Sequence, residues 1–293
     1  MLDATTDGWH RVYDGVYNSQ FGGGGYIQQV VPTSDSSVFY ARGDVFGVYR
    51  SNDAGQTWNA LHGNMDNTIG DVSGVRAISV HPTNPNELVI GTGHAWGREG
   101  GLWRSTNGGQ SWTFEQAMSI YGDGGDVGRQ YGYVIERDPS NANVIFAGGF
   151  GESYRSTDGG KNWSVVPSLN NKLVTDVDWD PNVNYRLWVS TSDFAGYAND
   201  VYHTFTGGSY RSTDSGSSFT LYNSDAPDEM VFSQTTNQRV IGVFDTDTLR
   251  SGWVDGTWNG DIHWDPNPLT GSWVTGNGVG DANASRTHAQ RVR

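Results

Sequence analysis

A ten-residue motif recurs four times at intervals close to fifty residues, and nothing else in the chain restricts its fold as strongly. The first copy, Tyr49-Arg50-Ser51-Asn52-Asp53-Ala54-Gly55-Gln56-Thr57-Trp58, reads aromatic-Arg-Ser-x-Asp-x-Gly-x-x-Trp. Residues 103–112, 154–163 and 210–219 repeat it, with Asn107 at the acidic position of the second copy and Phe219 at the aromatic end of the fourth. The anchors Asp53, Asn107, Asp158 and Asp214 are 54, 51 and 56 residues apart. Locally, an aromatic-Arg-Ser strand runs into a tight turn. There the Asp or Asn side-chain oxygen accepts backbone N–H bonds, and Gly takes an angle that a Cβ penalises. The closing Trp or Phe opens the next strand and carries a large apolar body toward the core.

A second element precedes each motif. Ile27–Pro32, Ala77–Pro82, Tyr133–Pro139 and Val174–Pro181 each read as a strand that stops at Pro, which has no N–H to give a sheet. An apolar strand follows: residues 37–41, 87–92, 144–148 and 186–190. One repeat is therefore strand, turn, strand, loop, strand, box, strand. Four antiparallel strands in about fifty residues make one blade of a β-propeller. The expected fold is all-β: a single propeller domain over residues 1–293 with about six blades, seven or an incomplete ring being the alternatives. Blades are expected near 26–62, 74–116, 132–167, 173–222 and 229–258. The fifth is degenerate, with Asp255-Gly256-Thr257-Trp258 as a worn box, and Ile262–Pro266 with residues 272–275 begins part of a sixth. Gly8-Trp9-His10-Arg11-Val12 resembles the strand after a box, so residues 8–13 are expected to pair near 272–293 and close the ring, leaving no edge.

Composition agrees. The 293 residues include 41 Gly, 12 Trp and 14 Tyr but no Cys, so packing and strand pairing hold the fold without disulfides. A net charge of -14 disfavours phosphate backbones and anionic lipid, so nucleic acid is a poor partner; a neutral polysaccharide or oligosaccharide stays compatible. No apolar run approaches the roughly 20 residues of a membrane span, and no membrane insertion is expected. The opening Met1-Leu2-Asp3-Ala4 does not read as a signal peptide.

The motifs are Asp boxes, also called BNR repeats. Two segments add a narrower resemblance. Gly22-Gly23-Gly24-Gly25-Tyr26 followed by Tyr40-Ala41-Arg42-Gly43-Asp44-Val45-Phe46-Gly47-Val48-Tyr49-Arg50 resembles the opening of glycoside hydrolase family 74, the xyloglucanases and related β-1,4-glucan hydrolases. Asp265-Pro266-Asn267-Pro268 with Trp273-Val274-Thr275-Gly276-Asn277-Gly278 is similar to a stretch near the end of that family's first propeller. The resemblance implies an inverting glycosidase in which one carboxylate activates water and a second acid protonates the leaving oxygen. It maps the first carboxylate onto Asp44, with Gly43 and Phe46 standing where the family has Thr and Gly. The family's partner acid lies in a second propeller, so a second propeller or another subunit is implied as its source. Two functions remain open: a xyloglucanase-like hydrolase, and a non-catalytic propeller that binds glycan or builds a surface assembly. Either implies an extracellular or cell-surface setting.

Long aromatic loops supply candidate sugar contacts, since a flat ring with a polar edge suits a pyranose face. Trp96, Tyr121, Tyr131, Tyr197 and Tyr202 are the substrate-binding candidates; residues 93–101, 116–133 and 193–208 are read as loops. Gly122–Gly128 lacks the spacing of a calcium loop, and the seven His show no zinc spacing, so no metal or cofactor is expected. Asn162 and Asn283 head glycosylation sequons, the first inside a box.

Overall fold

The computed structural model describes residues 27–43, 47–61, 65, 74–94, 98–118, 134–181, 183–198, 201–224, 229–232, 240–245, 249–250, 260–265 and 274–275. Within them the chain is all-β. Sheet one is β1 (Ile27–Pro32), β2 (Phe39–Gly43), β3 (Val48–Ser51) and β4 (Asn59–Ala60). Sheet two is β5 (Val75–His81), β6 (Asn84–His94), β7 (Arg98–Ser105) and β8 (Thr113–Met118). Sheet three is β9 (Ile135–Arg137), β10 (Ile145–Ala147), β11 (Tyr154–Ser156) and β12 (Ser164–Val165). Sheet four is β13 (Leu173–Trp179), β14 (Leu187–Ser192), β17 (Gly208–Ser212) and β18 (Thr220–Asn223), with a hairpin, β15 (Phe194–Ala198) and β16 (Val201–Phe205), inserted between β14 and β17. Sheet five is β19 (Glu229–Phe232), β20 (Val240–Asp245), β22 (Gly260–Asp265) and β23 (Val274–Thr275), while β21 (Leu249–Arg250) pairs with the inserted hairpin.

Every four-stranded sheet is an antiparallel meander whose spatial order follows chain order. First strands pack side by side: β5 beside β9, β9 beside β13, β13 beside β19. That is the radial stacking of propeller blades. The core lies between blades. Tyr40 and Val48 of sheet one pack with Leu88, Ile90, Trp103 and Trp112 of sheet two, and a larger cluster joins sheets two to four through Val89, Ile145, Phe146, Val177 and Leu187. Three first strands also carry an irregularity at one level, between Ile27 and Gln29, Val75 and Ala77, and Val174 and Asp176. One extra residue there bends each inner strand alike.

The four boxes are superimposable in their bonding. Each occupies the turn between the third and fourth strands of its blade. The box Ser is fully or almost fully buried at 51, 105, 156 and 212, and its hydroxyl donates to the acidic position while accepting the N–H of the box Gly. The acidic side chain accepts the N–H four residues on, from Thr57, Ser111, Asn162 and Ser218. Gly55, Gly109, Gly160 and Gly216 all have φ between 80° and 89°. The residue before each Gly is also left-handed, and its N–H bonds the first turn of its own blade: Ala54 to Ser37 O, Gly108 to Asn86 O, Gly159 to Asn143 O and Ser215 to Tyr185 O.

The boxes also join blades. Arg50 donates to Gly108 O in the next blade's box, and Arg155 donates to Ser215 O in the next at 2.7 Å. A Cβ on Gly109 would meet Leu61, one on Gly160 would meet Val89, and one on Gly216 would approach Phe146, each in the preceding blade. Arg104 instead pairs with Glu115 on β8 of its own sheet.

Three expectations are corrected. Trp112 and Phe219 are buried, but Trp58 and Trp163 are half-buried: their indole N–H groups bond back to Gly55 O and Gly160 O, and the Trp163 ring packs against the core cluster from its edge. Residues 260–265 do not start a sixth blade; they pair with β20 as the third strand of sheet five, which therefore extends to Thr275. Residues 194–205 are not a loop but the β15–β16 hairpin. Residues 8–13, the worn box at 255–258 and Asn283 lie outside the described residues.

Trp112→Ala should cost about 3–5 kcal/mol of unfolding free energy in chemical denaturation, and Trp58→Ala less, in keeping with its wetter ring. Acid provides a second check. Hydrogen bonds from the Thr57 side chain and backbone hold Asp53 at about 2. At Asp158 burial pushes upward, but bonds from Asn162, Ser156 and Lys161 outweigh it and also hold the carboxyl at about 2. Folded pKa values below the unfolded one give stability that is complete above about pH 4 and lost as pH falls toward 2. Melting temperature should fall through that window, and Asp158→Asn should flatten the fall.

Candidate functional site

The boxes close third-to-fourth strand turns, on the same end of each blade as the first-to-second turns that they bond. The opposite end carries the second-to-third connections and the links between blades. Of the candidates, Tyr197 and Tyr202 belong to a connection of this second kind, between β14 and β17. Asp44, Trp96, Tyr121 and Tyr131 themselves lie outside the described residues, as does Gly122–Gly128. Tyr197 is placed in register on β15, directly opposite Tyr202. Tyr202 is 57% exposed.

The inserted hairpin dominates the described part of this face. β15 and β16 pair from Phe194↔Phe205 to Ala198↔Val201, and β15 also pairs in parallel with β21, through Phe194↔Leu249 and Ala195↔Arg250. The three strands make a small sheet joining the connections of blades four and five. Its neck is tied twice: Gly207 donates its N–H to Asp193 Oδ1 at 2.9 Å, and Lys172 Nζ donates to Thr206 O at 2.9 Å while lying over the Tyr210 ring.

One face of the hairpin is anchored by aromatic packing. Phe194 and Phe205 are buried with Leu173 and pack against Phe150, whose ring meets both of theirs edge-on at 5.3 and 4.7 Å. His203 adds a third edge contact to Phe150 at 4.8 Å. Phe150 is itself fixed by its backbone: it bridges Leu173, while Gly149 O accepts from Val174, and Gly151 donates to Lys172 O and accepts from Asn171. Gly151, at φ 92°, keeps the Phe205 ring 3.7 Å from where a Cβ would stand. Blade three thus supplies the socket for a hairpin of blade four.

Beside this cluster, exposed Glu152 accepts the Tyr154 hydroxyl at 2.7 Å. Burial, reinforced by that carboxylate, pushes the Tyr154 phenol up to about 12. Among the described residues no group of three or more His, Cys, Asp or Glu is arranged to hold a metal, and no helix is long and apolar enough to cross a membrane. The anchor residues Phe150, Phe194, His203 and Phe205 were not singled out from sequence. The signal was present, because Phe194 and Phe205 stand symmetrically in sequence about Asn199-Asp200 with alternating residues between.

Comparison with known proteins agrees with this architecture. The BNR/Asp-box repeat model matches residues 154–165. A xyloglucanase from a Paenibacillus species is 27% identical, the match taking in 91% of this chain and 27% of that protein. Xyloglucanase Xgh74A of Acetivibrio thermocellus is 30% identical over 67% of this chain and 25% of its own length. Among solved structures, the GH74 enzyme of Niastella koreensis superimposes with a TM-score of 0.64 at 25% identity, and the GH74 xyloglucanase of Xanthomonas campestris with 0.63 at 21%; each match covers 87% of this chain and 38% of the other. The fold is that of an Asp-box β-propeller. More narrowly, the chain is a GH74-like propeller, which spans about a quarter of the length of these curated relatives.

The anchor predicts a local response. Phe205→Ala should speed amide hydrogen exchange across residues 194–205 by tenfold or more, while β13 and β14 keep their protection, because the hairpin opens without unseating the blade.

Proposed function

We propose that residues 1–293 form one propeller unit that binds a β-1,4-glucan of the xyloglucan type across the face carrying the second-to-third strand connections. The observation that carries this reading is the similarity to xyloglucanases along 91% of the chain, together with the Asp44 segment that resembles the family's catalytic strand. Trp96, Tyr121, Tyr131, Tyr197 and Tyr202 are the proposed sugar contacts. A net charge of -14 suits a neutral polymer, and the setting proposed is extracellular or at the cell surface.

In this reading Asp44 is the general base of an inverting hydrolysis. It takes a proton from water as the oxygen attacks the anomeric carbon, while an acid roughly 6.5–9.5 Å away protonates the departing oxygen. No residue of the chain corresponds to the family's acid, so it is supplied from a second propeller or another subunit. A second reading, a glycan-binding or surface-assembly propeller without catalysis, is favoured by that same missing correspondence.

The 293-residue chain is expected to retain xyloglucan in affinity electrophoresis and to release few or no reducing ends from a β-glucan panel. Robust turnover lost in Asp44→Asn would mean that an acid within these residues completes the pair. Turnover that survives Asp44→Asn would remove Asp44 from the chemistry, and failure to bind any glucan would sink the reading.

A further inference from the structure

The four boxed blades repeat one another closely enough that a residue in one has a counterpart in each of the others. The second-strand residue opposite the box Ser is Phe39, Leu88, Ile145 or Leu187. Two residues further along that strand stand Ala41, Ile90, Ala147 and Val189, which pair with Val30, Ile78, Ile135 and Val177 of the first strand. In blades two to four this first-strand aliphatic is buried, at 3%, 1% and 0% exposure, in clusters that include side chains of the preceding blade. In blade one it is Val30, which is 52% exposed. The residue before the strand irregularity shows the same contrast: Val75 and Val174 are buried, while Ile27 is 46% exposed. Opposite the box Ser, Phe39 is only half-buried where its three counterparts are fully buried.

Isolated exposed aliphatics are ordinary on a protein surface. The box of blade one shows that these are not isolated. Gly109, Gly160 and Gly216 each lie against a side chain of the preceding blade, namely Leu61, Val89 and Phe146. Among the described residues, a Cβ on Gly55 would meet only Trp58 of its own box. Gly108 and Ser215 offer their carbonyls to Arg50 and Arg155 of the blade before. Their counterpart Ala54 is exposed, and no arginine among the described residues reaches its carbonyl. Over the described residues, then, blade one has an apolar strand face, an uncovered box glycine and an open backbone acceptor. All three lie on the flank that each later boxed blade turns toward its predecessor.

The later seams state what such a flank accepts. In each the covering unit is a blade, and at two of the three its box arginine supplies a hydrogen bond. Tyr or Trp followed by Arg-Ser occurs four times in the 293 residues, once per box. Arg50 and Arg155 are committed to later seams, Arg104 to Glu115, and Arg211 lies over the Trp188 and Tyr222 rings of its own blade. The nearest variant, Leu249-Arg250-Ser251, is placed by β21 beside the inserted hairpin of blade four. We infer that this flank of blade one is a docking surface for one further Asp-box blade, carried on polypeptide that residues 1–293 do not include. Its box arginine donates to Ala54 O, and its aliphatic face covers Ile27 and Val30. The contact continues the head-to-tail interface already repeated between neighbouring blades. Ile27, Val30, Ala41 and Tyr49 carry no charge, so the face matches an apolar partner rather than an ionic one. The inference is independent of the β-glucan reading.

The chain has no cysteine, so a single introduced thiol reads the flank directly. Val30→Cys should react with a maleimide at least about tenfold faster than Ile78→Cys and Val177→Cys, whose thiols must wait for local opening. Circular dichroism and melting temperature show that each variant is folded. The probe for the partner is a second copy of residues 134–172, blade three with its box, appended after Arg293. Val30→Cys in the extended chain should be slowed about tenfold, and Arg155→Ala in the appended copy alone should restore much of the rate. Val30→Cys as slow as Ile78→Cys in the 293-residue chain overturns the inference, because the chain's own residues then fill the flank. Slowing that grows with protein concentration overturns it in favour of a second copy of the chain. A rate untouched both by this blade and by an appended copy of residues 27–61 overturns the Asp-box partner. Protection that survives Arg155→Ala in the copy overturns the arginine contact.

Discussion

The box serine hydroxyl is the smallest group on which the architecture depends. Buried at 0–2% exposure in four blades, it donates to the Asp or Asn two residues on and accepts from the Gly four residues on. Those two bonds fold the segment into a turn tight enough to bring the left-handed residue against the blade's first turn and the Gly against the neighbouring blade. Strand pairing then needs only ordinary alternation, and the core fills the wedge between adjacent sheets. A hydroxyl with both roles engaged leaves little tolerance for Ala, which would leave the box Gly N–H without its acceptor and take one donor from the acidic side chain.

Much of this was legible in the residues because the box is a local device whose chemistry is written in consecutive positions. The Asp, Gly and aromatic roles could be derived from turn physics; the serine's double role could not, since a Ser ending a strand has many uses. Legibility failed where the box failed. A worn box was read at residues 255–258, ahead of β22, so Gly260–Asp265 looked like the first strand of a new blade, strand-then-Pro being shared by several strand positions. The hairpin at 194–205 was missed for another reason. Aromatics spaced for alternation were read as loop residues, although Phe194 and Phe205 are the pair that a buried hairpin face requires.

Of the candidate site, only the hairpin residues can be set against their sequence reading. Of the candidates chosen for ring chemistry, the described Tyr197 and Tyr202 stand on the hairpin inserted between the second and third strands of blade four, away from the box turns. The structure adds a distinction between rings that brace and rings that face water. Phe150, Phe194 and Phe205 brace. Tyr202 faces water. Composition treats both kinds alike, and only register separates them.

The arginine bonds between blades have a direction. Arg50 reaches forward to Gly108 O and Arg155 forward to Ser215 O, so blade one donates to blade two and blade three to blade four, in the same sense along the chain. A head-to-tail contact of this kind is heterologous: it propagates until rotation brings the last acceptor to the first donor. Any unit with the same two flanks can be inserted, deleted or exchanged without redesigning its neighbours, so blade number becomes a quantity that duplication can change one step at a time. Between the second and third blades the device changes: Arg104 is engaged by Glu115 of its own sheet, and the seam is closed instead by Arg137 beside Glu87 at 3.7 Å and by Val89 packed with Ile145.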